Sequence, residues 1–193
     1  MKNNILMSVL LTVSLSAALP LSAASHVDVV KMRTENRVNP LGIGTSTPRF
    51  SWQITSDRKG VVQTSYQILV ASSREKLDRN EADLWDSGER KSDEQLWIPY
   101  QGKVLLSGSE AYWKVRITTN RGKSEWTEPQ LFTIGLLGEN KWSGTWIGLE
   151  DLQPGEKKGM HTRLAARYIR KDFATKGKVK RAVAYVAGLG VYE

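Results

Sequence analysis

The sequence contains no cysteine. Disulfides, thiolate metal sites and a lipid-modified cysteine are therefore excluded, and stability must come from packing instead of cross-links. Histidine is almost as scarce, since the whole sequence has only His26 and His161. Two histidines so far apart assemble neither a histidine-centred triad nor a zinc site. We therefore predict no metal ligand, no cofactor-binding residue and no cofactor.

Long hydrophobic runs are absent apart from one near the N terminus. Lys2 precedes an apolar run over 5–19, and small residues follow at 22–24. This pattern is typical of a secretory signal peptide over 1–24, cleaved before Ser25. A membrane anchor is the alternative, but the run is shorter than the ~20 residues that span a bilayer and it ends at Pro20. We expect a periplasmic or extracellular protein with no membrane partner after cleavage.

Acidic residues are scarce in one segment, which accounts for the net charge of +8. Residues 25–155 contain 17 basic and 17 acidic side chains, whereas 156–181 contain 10 basic side chains against Glu156 and Asp172. A basic stripe can bind nucleic acid, but this one lacks the interleaved aromatic residues of a single-strand binder. We predict no nucleic-acid partner and interpret the segment as a solvated face.

Apolar and polar residues alternate with period two between 27 and 137, most clearly at 50–54, 66–70 and 113–117. Turn-forming clusters separate these runs. The pattern predicts an all-β fold, an antiparallel sandwich of the immunoglobulin or fibronectin type III-like class, with one face of each strand apolar and the other solvated. The stretch 73–83 is polar all round, and we interpret it as a short surface turn.

Seven tryptophans invite a carbohydrate-binding interpretation, because flat aromatic faces stack on sugar rings. Trp52 and Trp113 fall on the apolar side of their runs and are predicted core residues. Trp126 is predicted to cover the edge of the sandwich. Trp85 and Trp97 lie in segments that contain many polar residues, so they are the two candidates for sugar stacking.

Acidic residues are the remaining candidates for chemistry, and those available are predicted to fall in turns and loops. Turn formation explains this placement. We therefore predict no catalytic residue among them. They are Asp57, Asp78, Asp83, Asp86, Asp93 and Glu94.

Ordered motifs along the chain resemble one known family, the bacterial α-L-rhamnosidases. They are 39–43 (NPLGI), 47–52 (TPRFSW), 63–72 (QTSYQILVAS), 84–88 (LWDSG), 112–116 (YWKVR) and 141–148 (KWSGTWIG). The resemblance implies a fibronectin type III-like domain over 27–137 and a linker over 138–163. Residues 164–193 resemble the first strands of the family's second β-sandwich, which is jelly-roll-like and incomplete here.

The resemblance also implies where catalysis resides. Glycoside hydrolysis needs two carboxyl groups across the scissile bond, and in this family they belong to an (α/α) barrel further along the polypeptide, working by inversion on terminal α-L-rhamnose. We therefore expect a non-catalytic fragment of a longer secreted enzyme, inactive alone. Its partners are then the rest of the rhamnosidase polypeptide and rhamnose-containing glycans. An independent sugar-binding module and a stand-alone adhesive fibronectin-like protein are the alternatives.

One position departs from the family pattern. The resemblance places at Ala111 a tyrosine whose hydroxyl ties back to the preceding loop. Tyr112 is expected to point to the opposite face of its strand. The sequence therefore predicts a loose corner, and a gain of about 1 kcal/mol in stability for Ala111→Tyr.

Overall fold

The computed structural model describes residues 27–138, 142–148, 154–157 and 168–188. The predicted signal peptide, His26 and His161 lie outside these ranges. The chain divides into two compact units, Met1–Trp142 and Ser143–Glu193. Among the described residues, no helix has the length and apolar character needed to cross a membrane.

The first unit is built almost entirely from strands, joined by tight turns and one short helix. In chain order these are β1 (Val27–Thr34), β2 (Arg49–Ser56), β3 (Gln63–Ala71), α1 (Arg74–Asp78), β4 (Trp85–Asp86), β5 (Ile98–Pro99), β6 (Glu110–Thr119), β7 (Gly122–Lys123) and β8 (Gln130–Thr133). One sheet has the order β1-β2-β5, and the other has the order β4-β3-β6 with β7 and β8 both on the far side of β6. Every strand pairing is antiparallel.

Aromatic side chains from both sheets meet in one core. Phe50 of β2 lies 4.4 Å from Trp113 of β6, measured between ring centroids, and 5.8 Å from Phe132 of β8. Trp52 and Trp113 are buried, as predicted. The alternation of apolar residues along β2 and β6 produces this core because successive side chains in a strand point to opposite faces.

The far side of β6 is covered by a strand that is interrupted between β7 and β8. Across the gap, Ser124 and Thr127 still donate backbone N–H groups to Ile117 and Val115. Their side-chain hydroxyls accept in return from the backbone N–H groups of the same two residues. The hydroxyls thus replace carbonyls where the chain leaves regular strand geometry.

The outer face of β6 is not fully solvated, which corrects the sequence prediction. Lys114 is buried, and its Nζ atom donates to the Leu77 carbonyl and to Asn80 Oδ1 at the end of α1. Burial lowers the pKa of Lys114. The stretch 73–83 therefore contains a helical turn that is capped by Ser73 and buries the Leu77 side chain. This turn packs over part of the outer face of the sheet.

The predicted loose corner at Ala111 is also not what the structure shows. Ala111 is completely buried in β6 opposite Phe132, so its Cβ already points into the core. A different tyrosine ties the loop. The hydroxyl of Tyr100 donates to the carbonyls of Lys103 and Leu84 at 2.8 and 3.2 Å, and burial raises the pKa of Tyr100 to about 12.

The second unit is described only in part. No strand or helix occurs within 168–188, where Tyr168 and Phe173 are among the exposed side chains. The second sandwich over 164–193 and the linker over 138–163 stay predictions.

Candidate functional site: the Trp97 platform

The two tryptophans proposed for sugar stacking differ sharply in exposure. Trp85 is 9% exposed and stacks on Phe50 at 6.3 Å, with Tyr100 edge-on at 5.4 Å. The expectation that Trp85 is exposed is wrong, because β4 pairs with β3 and turns this indole into the core. Trp97 is 46% exposed.

Trp97 lies immediately before β5, on the outer face of the three-stranded sheet. Its backbone N–H donates to the Ser51 hydroxyl at 3.0 Å. The guanidinium carbon of Arg49 lies 4.2 Å from the centroid of its indole ring, in a cation–π arrangement. Trp97 thus combines a partly exposed indole with a guanidinium that covers one face of the ring.

Glu35 fixes the orientation of Arg49. Its carboxylate accepts from Arg49 Nε at 3.1 Å and from Arg49 Nη2 at 2.7 Å, and it also accepts from the Arg49 backbone N–H at 2.8 Å. These hydrogen bonds from Arg49 lower the pKa of Glu35. A two-point contact of this kind sets the guanidinium plane as well as its position.

Arg33 extends the same surface. It stands opposite Ser51 in the β1–β2 register, so the two side chains project from the same side of the sheet. One of its nitrogens donates to the Asn36 carbonyl at 3.0 Å. We call the set Arg33, Glu35, Arg49, Ser51 and Trp97 the Trp97 platform.

Two members of the platform have an unusual backbone. Trp97 has φ +59° and Glu35 has φ +46°, and neither is glycine or asparagine. Left-handed conformations cost such residues roughly 1–2 kcal/mol each. Both residues contact Arg49. Lys31 of β1, with φ +50°, is a third residue of this kind.

Trp126 forms a second cation–aromatic contact on the opposite sheet. The Arg116 guanidinium carbon lies 4.3 Å and the Lys114 Nζ atom 5.1 Å from its ring centroid. Trp126 also packs against the small cluster under α1. It covers the outside of the sandwich near the interrupted strand, as predicted.

Three carboxylates of the first unit, those of Asp83, Asp86 and Glu89, are engaged in structural hydrogen bonds. Asp83 accepts from Lys76 at 2.6 Å and from Ser72, while Asp86 accepts from the Gly88 N–H at 2.8 Å. Glu89 accepts from Ser65 at 2.7 Å. Within the part of the chain that the structure describes, no group of three or more acidic or histidine side chains could hold a metal ion.

Sequence reasoning found Trp97 but missed its partners. Arg49 alternates with Phe50, which placed it on an outer face, yet period-two patterning does not reveal which strand lies alongside. Glu35 and Arg33 come from β1 and the turn after it. Only the β1–β2 register brings them to Arg49, and no local sequence signal reports that register.

Two antiparallel sheets packed around an aromatic core define the class, an immunoglobulin-type β-sandwich. The sequence model of the Rha78A-like, N-terminal immunoglobulin domain matches residues 29–138. This chain belongs to that family.

Similar curated proteins are α-L-rhamnosidases. One from Formosa agariphila is 35% identical over 184 residues, covering 88% of this chain and 19% of the relative. One from Alteromonas sp. strain LOR is 35% identical over 161 residues, covering 82% and 17%. The chain therefore spans less than a fifth of the length of these relatives.

Solved structures agree on the fold. The crystal structure of Streptomyces avermitilis α-L-rhamnosidase complexed with L-rhamnose matches with a TM-score of 0.60 and 36% identity, over 64% of this chain and 12% of that one. The α-L-rhamnosidase from Dictyoglumus thermophilum matches with a TM-score of 0.60 and 32% identity, over 67% and 15%. Both overlaps are therefore with a small part of a larger enzyme.

Proposed function

We propose that this chain is the non-catalytic N-terminal part of a secreted α-L-rhamnosidase. The observation that carries the proposal is the coverage. The family match occupies 29–138, and the relatives align with 88% of this chain over only 19% of their own length. The role of the sandwich is then to brace a longer polypeptide whose chemistry lies elsewhere.

The contacts of the carboxylates support a structural role. An inverting glycosidase needs an acid and a base about 6.5–9.5 Å apart, with room for a water and a sugar between them. Asp83, Asp86 and Glu89 each accept hydrogen bonds from neighbouring side chains or backbone. Their observed partners stabilise turns and strand pairs of the sandwich.

The reaction belongs to the longer polypeptide in this proposal. It removes terminal α-L-rhamnose from glycans or glycosides with inversion at the anomeric carbon. The apolar run over 5–19 directs export, with the mature protein beginning at Ser25 in the periplasm or outside the cell. Proton NMR of the anomer that forms first tests for inversion. N-terminal sequencing of the exported protein tests whether the mature chain begins at Ser25.

Activity measurements test the proposal directly. The 193-residue chain, assayed with p-nitrophenyl α-L-rhamnoside, should release no p-nitrophenol above the buffer rate. Deleting 29–138 from a rhamnosidase that carries this segment should lower the melting temperature and the soluble yield, with KM for the same small substrate unchanged. Turnover by the isolated chain would contradict a non-catalytic role.

The same deletion also separates bracing from substrate binding. If the sandwich binds the small substrate next to the catalytic centre, its removal raises KM while the melting temperature stays the same. That result would show that the sandwich takes part in substrate binding and does not only stabilise the longer polypeptide.

A further inference from the structure

The Trp97 platform is a partly exposed surface on which Glu35 holds the side chain of Arg49 and Ser51 holds the backbone of Trp97. We propose that it binds an acidic saccharide. The exposed part of the Trp97 indole stacks on a pyranose ring, and the guanidinium groups of Arg49 and Arg33 receive a carboxylate on the neighbouring sugar, beyond the edge of the indole. The platform lies wholly within 33–97, so the inference does not depend on the catalytic part of any enzyme.

Stacking is the first requirement, and the indole meets it. The negative face of an aromatic ring attracts the polarised C–H bonds on the apolar side of a sugar. Trp97 is 46% exposed, and Arg49 covers only one of its two faces.

Charge selects an acidic sugar over a neutral one. Arg33 and Arg49 carry two positive charges on the platform, and Glu35 supplies one negative charge. Glu35 uses Nε and Nη2 of Arg49, which leaves Nη1 with two N–H donors. An outward-facing guanidinium with free donors is suited to a carboxylate.

The platform is built before any ligand arrives. The Trp97 backbone is held by Ser51, and Arg49 is held by Glu35. A preordered aromatic and a preordered cation lose little freedom on binding, which favours affinity. Trp97 and Glu35 keep a left-handed backbone although this conformation costs free energy. Strained residues of this kind are found mostly at binding and catalytic sites.

Oligogalacturonates are the probe. Titration calorimetry of the full chain with tetragalacturonate, at an ionic strength of physiological magnitude, should show saturable heat. The carboxyl-reduced tetrasaccharide, which keeps the rings and loses the charge, should bind at least tenfold more weakly. Equal affinity for the two would overturn the assignment of an acidic ligand.

Trp97→Gly is the decisive variant. Glycine adopts φ +59° freely, so the backbone strain is relieved and the sandwich should remain folded. Loss of the indole should weaken tetragalacturonate binding at least tenfold. Trp142→Ala is the matched control, because Trp142 has the same 46% exposure and lies outside the platform. This variant should bind tetragalacturonate with the same affinity as the parent chain.

Arginine is tested with an equally matched pair. Arg49→Gln should weaken tetragalacturonate binding threefold to tenfold. Arg74→Gln should leave it unchanged, although Arg74 has similar side-chain exposure (52% against 48%) and the same 2.7 Å bond to a glutamate. Equal losses in the two variants would show a general charge effect and overturn the platform.

The basic segment 157–181 is a competing source of attraction for any polyanion. Poly-L-glutamate, which carries carboxylates without sugar rings, measures that contribution. Its affinity should be the same for the parent chain and for Trp97→Gly. If tetragalacturonate binding also ignores Trp97→Gly, or if no heat is seen at millimolar ligand, the platform is not a saccharide site and its exposed indole is a contact for another part of the enzyme.

Discussion

The indole N–H of Trp52 donates to the Oε1 atom of Gln63 across 3.0 Å inside the sandwich. Gln63 is itself buried, and its Nε2 atom donates to the carbonyls of Ser92 and Glu94. One amide thus joins the core of β2 to the loop that precedes β5. This loop is the one that delivers Trp97 to the surface.

Gln63→Leu should lower the free energy of unfolding by about 2–4 kcal/mol. The change leaves the buried Trp52 N–H without a partner, which costs ~1–3 kcal/mol. It also removes the hydrogen bonds to two partly buried carbonyls, which cost less because water can reach them. Urea unfolding followed by fluorescence measures the loss. Gln53→Leu, at an exposed position of β2, should change stability by less than ~0.5 kcal/mol. Similar losses in both variants would mean that the buried amide makes no special contribution.

Asp83→Asn should remove an acid-sensitive part of the stability. Partial burial alone would raise the pKa of Asp83, but hydrogen bonds from Lys76 and Ser72 outweigh it and lower the pKa to about 2, from 3.8. The folded-state pKa is depressed, so the stabilisation is complete above about pH 4 and is lost as the pH falls towards 2.

The expected loss at pH 7 is about 1 kcal/mol after allowance for solvent screening. Chemical unfolding at several pH values tests this prediction, with the exposed Asp93→Asn as the control. The gap between the parent chain and Asp83→Asn should close between pH 4 and pH 2. A gap that stays constant over this range would contradict the assigned cause.

Ala111→Tyr should destabilise the sandwich, opposite to the expectation from the family pattern. Ala111 has no exposed area and faces a core already filled by Phe132 and Trp113. Overpacking of this kind costs roughly 1–3 kcal/mol or more. Thermal unfolding should show a clear fall in melting temperature, whereas Thr118→Tyr, on the partly exposed face of β6, should be nearly neutral. An unchanged melting temperature for Ala111→Tyr would show that the core has room there.

Gly102→Ala should destabilise the loop tied by Tyr100. A Cβ atom at Gly102 would overlap the Leu84 carbonyl, the Trp85 side chain and the Tyr100 hydroxyl. The clash displaces the hydroxyl from its two carbonyl partners, so we expect a loss of about 2 kcal/mol or more. Gly44→Ala is the control, because a Cβ there meets nothing within 4 Å. Equal stability of the two variants, measured by urea unfolding, would refute the close approach.

The core was predictable from sequence because its pattern is local. Phe50, Trp52 and Trp113 alternate with polar neighbours, and period two fixes their face without knowledge of any partner strand. Trp85 was mispredicted for the complementary reason. The polar residues around it, such as Asp83 and Asp86, indicate exposure, but Trp85 is buried because the short strand β4 pairs with β3.

Two other features could not be predicted because they depend on contacts between residues far apart in the sequence. Lys114 sits in an alternating strand like any solvated lysine, and only the packing of α1 above it removes the solvent. The replacement of the Ala111 corner by Tyr100 also depends on a loop contact across sixteen positions of sequence. Neither contact produces a periodic pattern in the sequence from which it could be predicted.

The edge strands of both sheets determine whether this domain can pair with strands of a neighbouring domain. β4 and β5 have two residues each, β1 is bulged between Val30 and Arg33, and the segment beyond β6 is split. Domains tethered on one polypeptide meet at millimolar effective concentration, where a long straight margin would recruit a neighbouring strand. This sandwich presents no such template along its described margins, so another β-domain tethered to it would meet no long straight strand with which to pair.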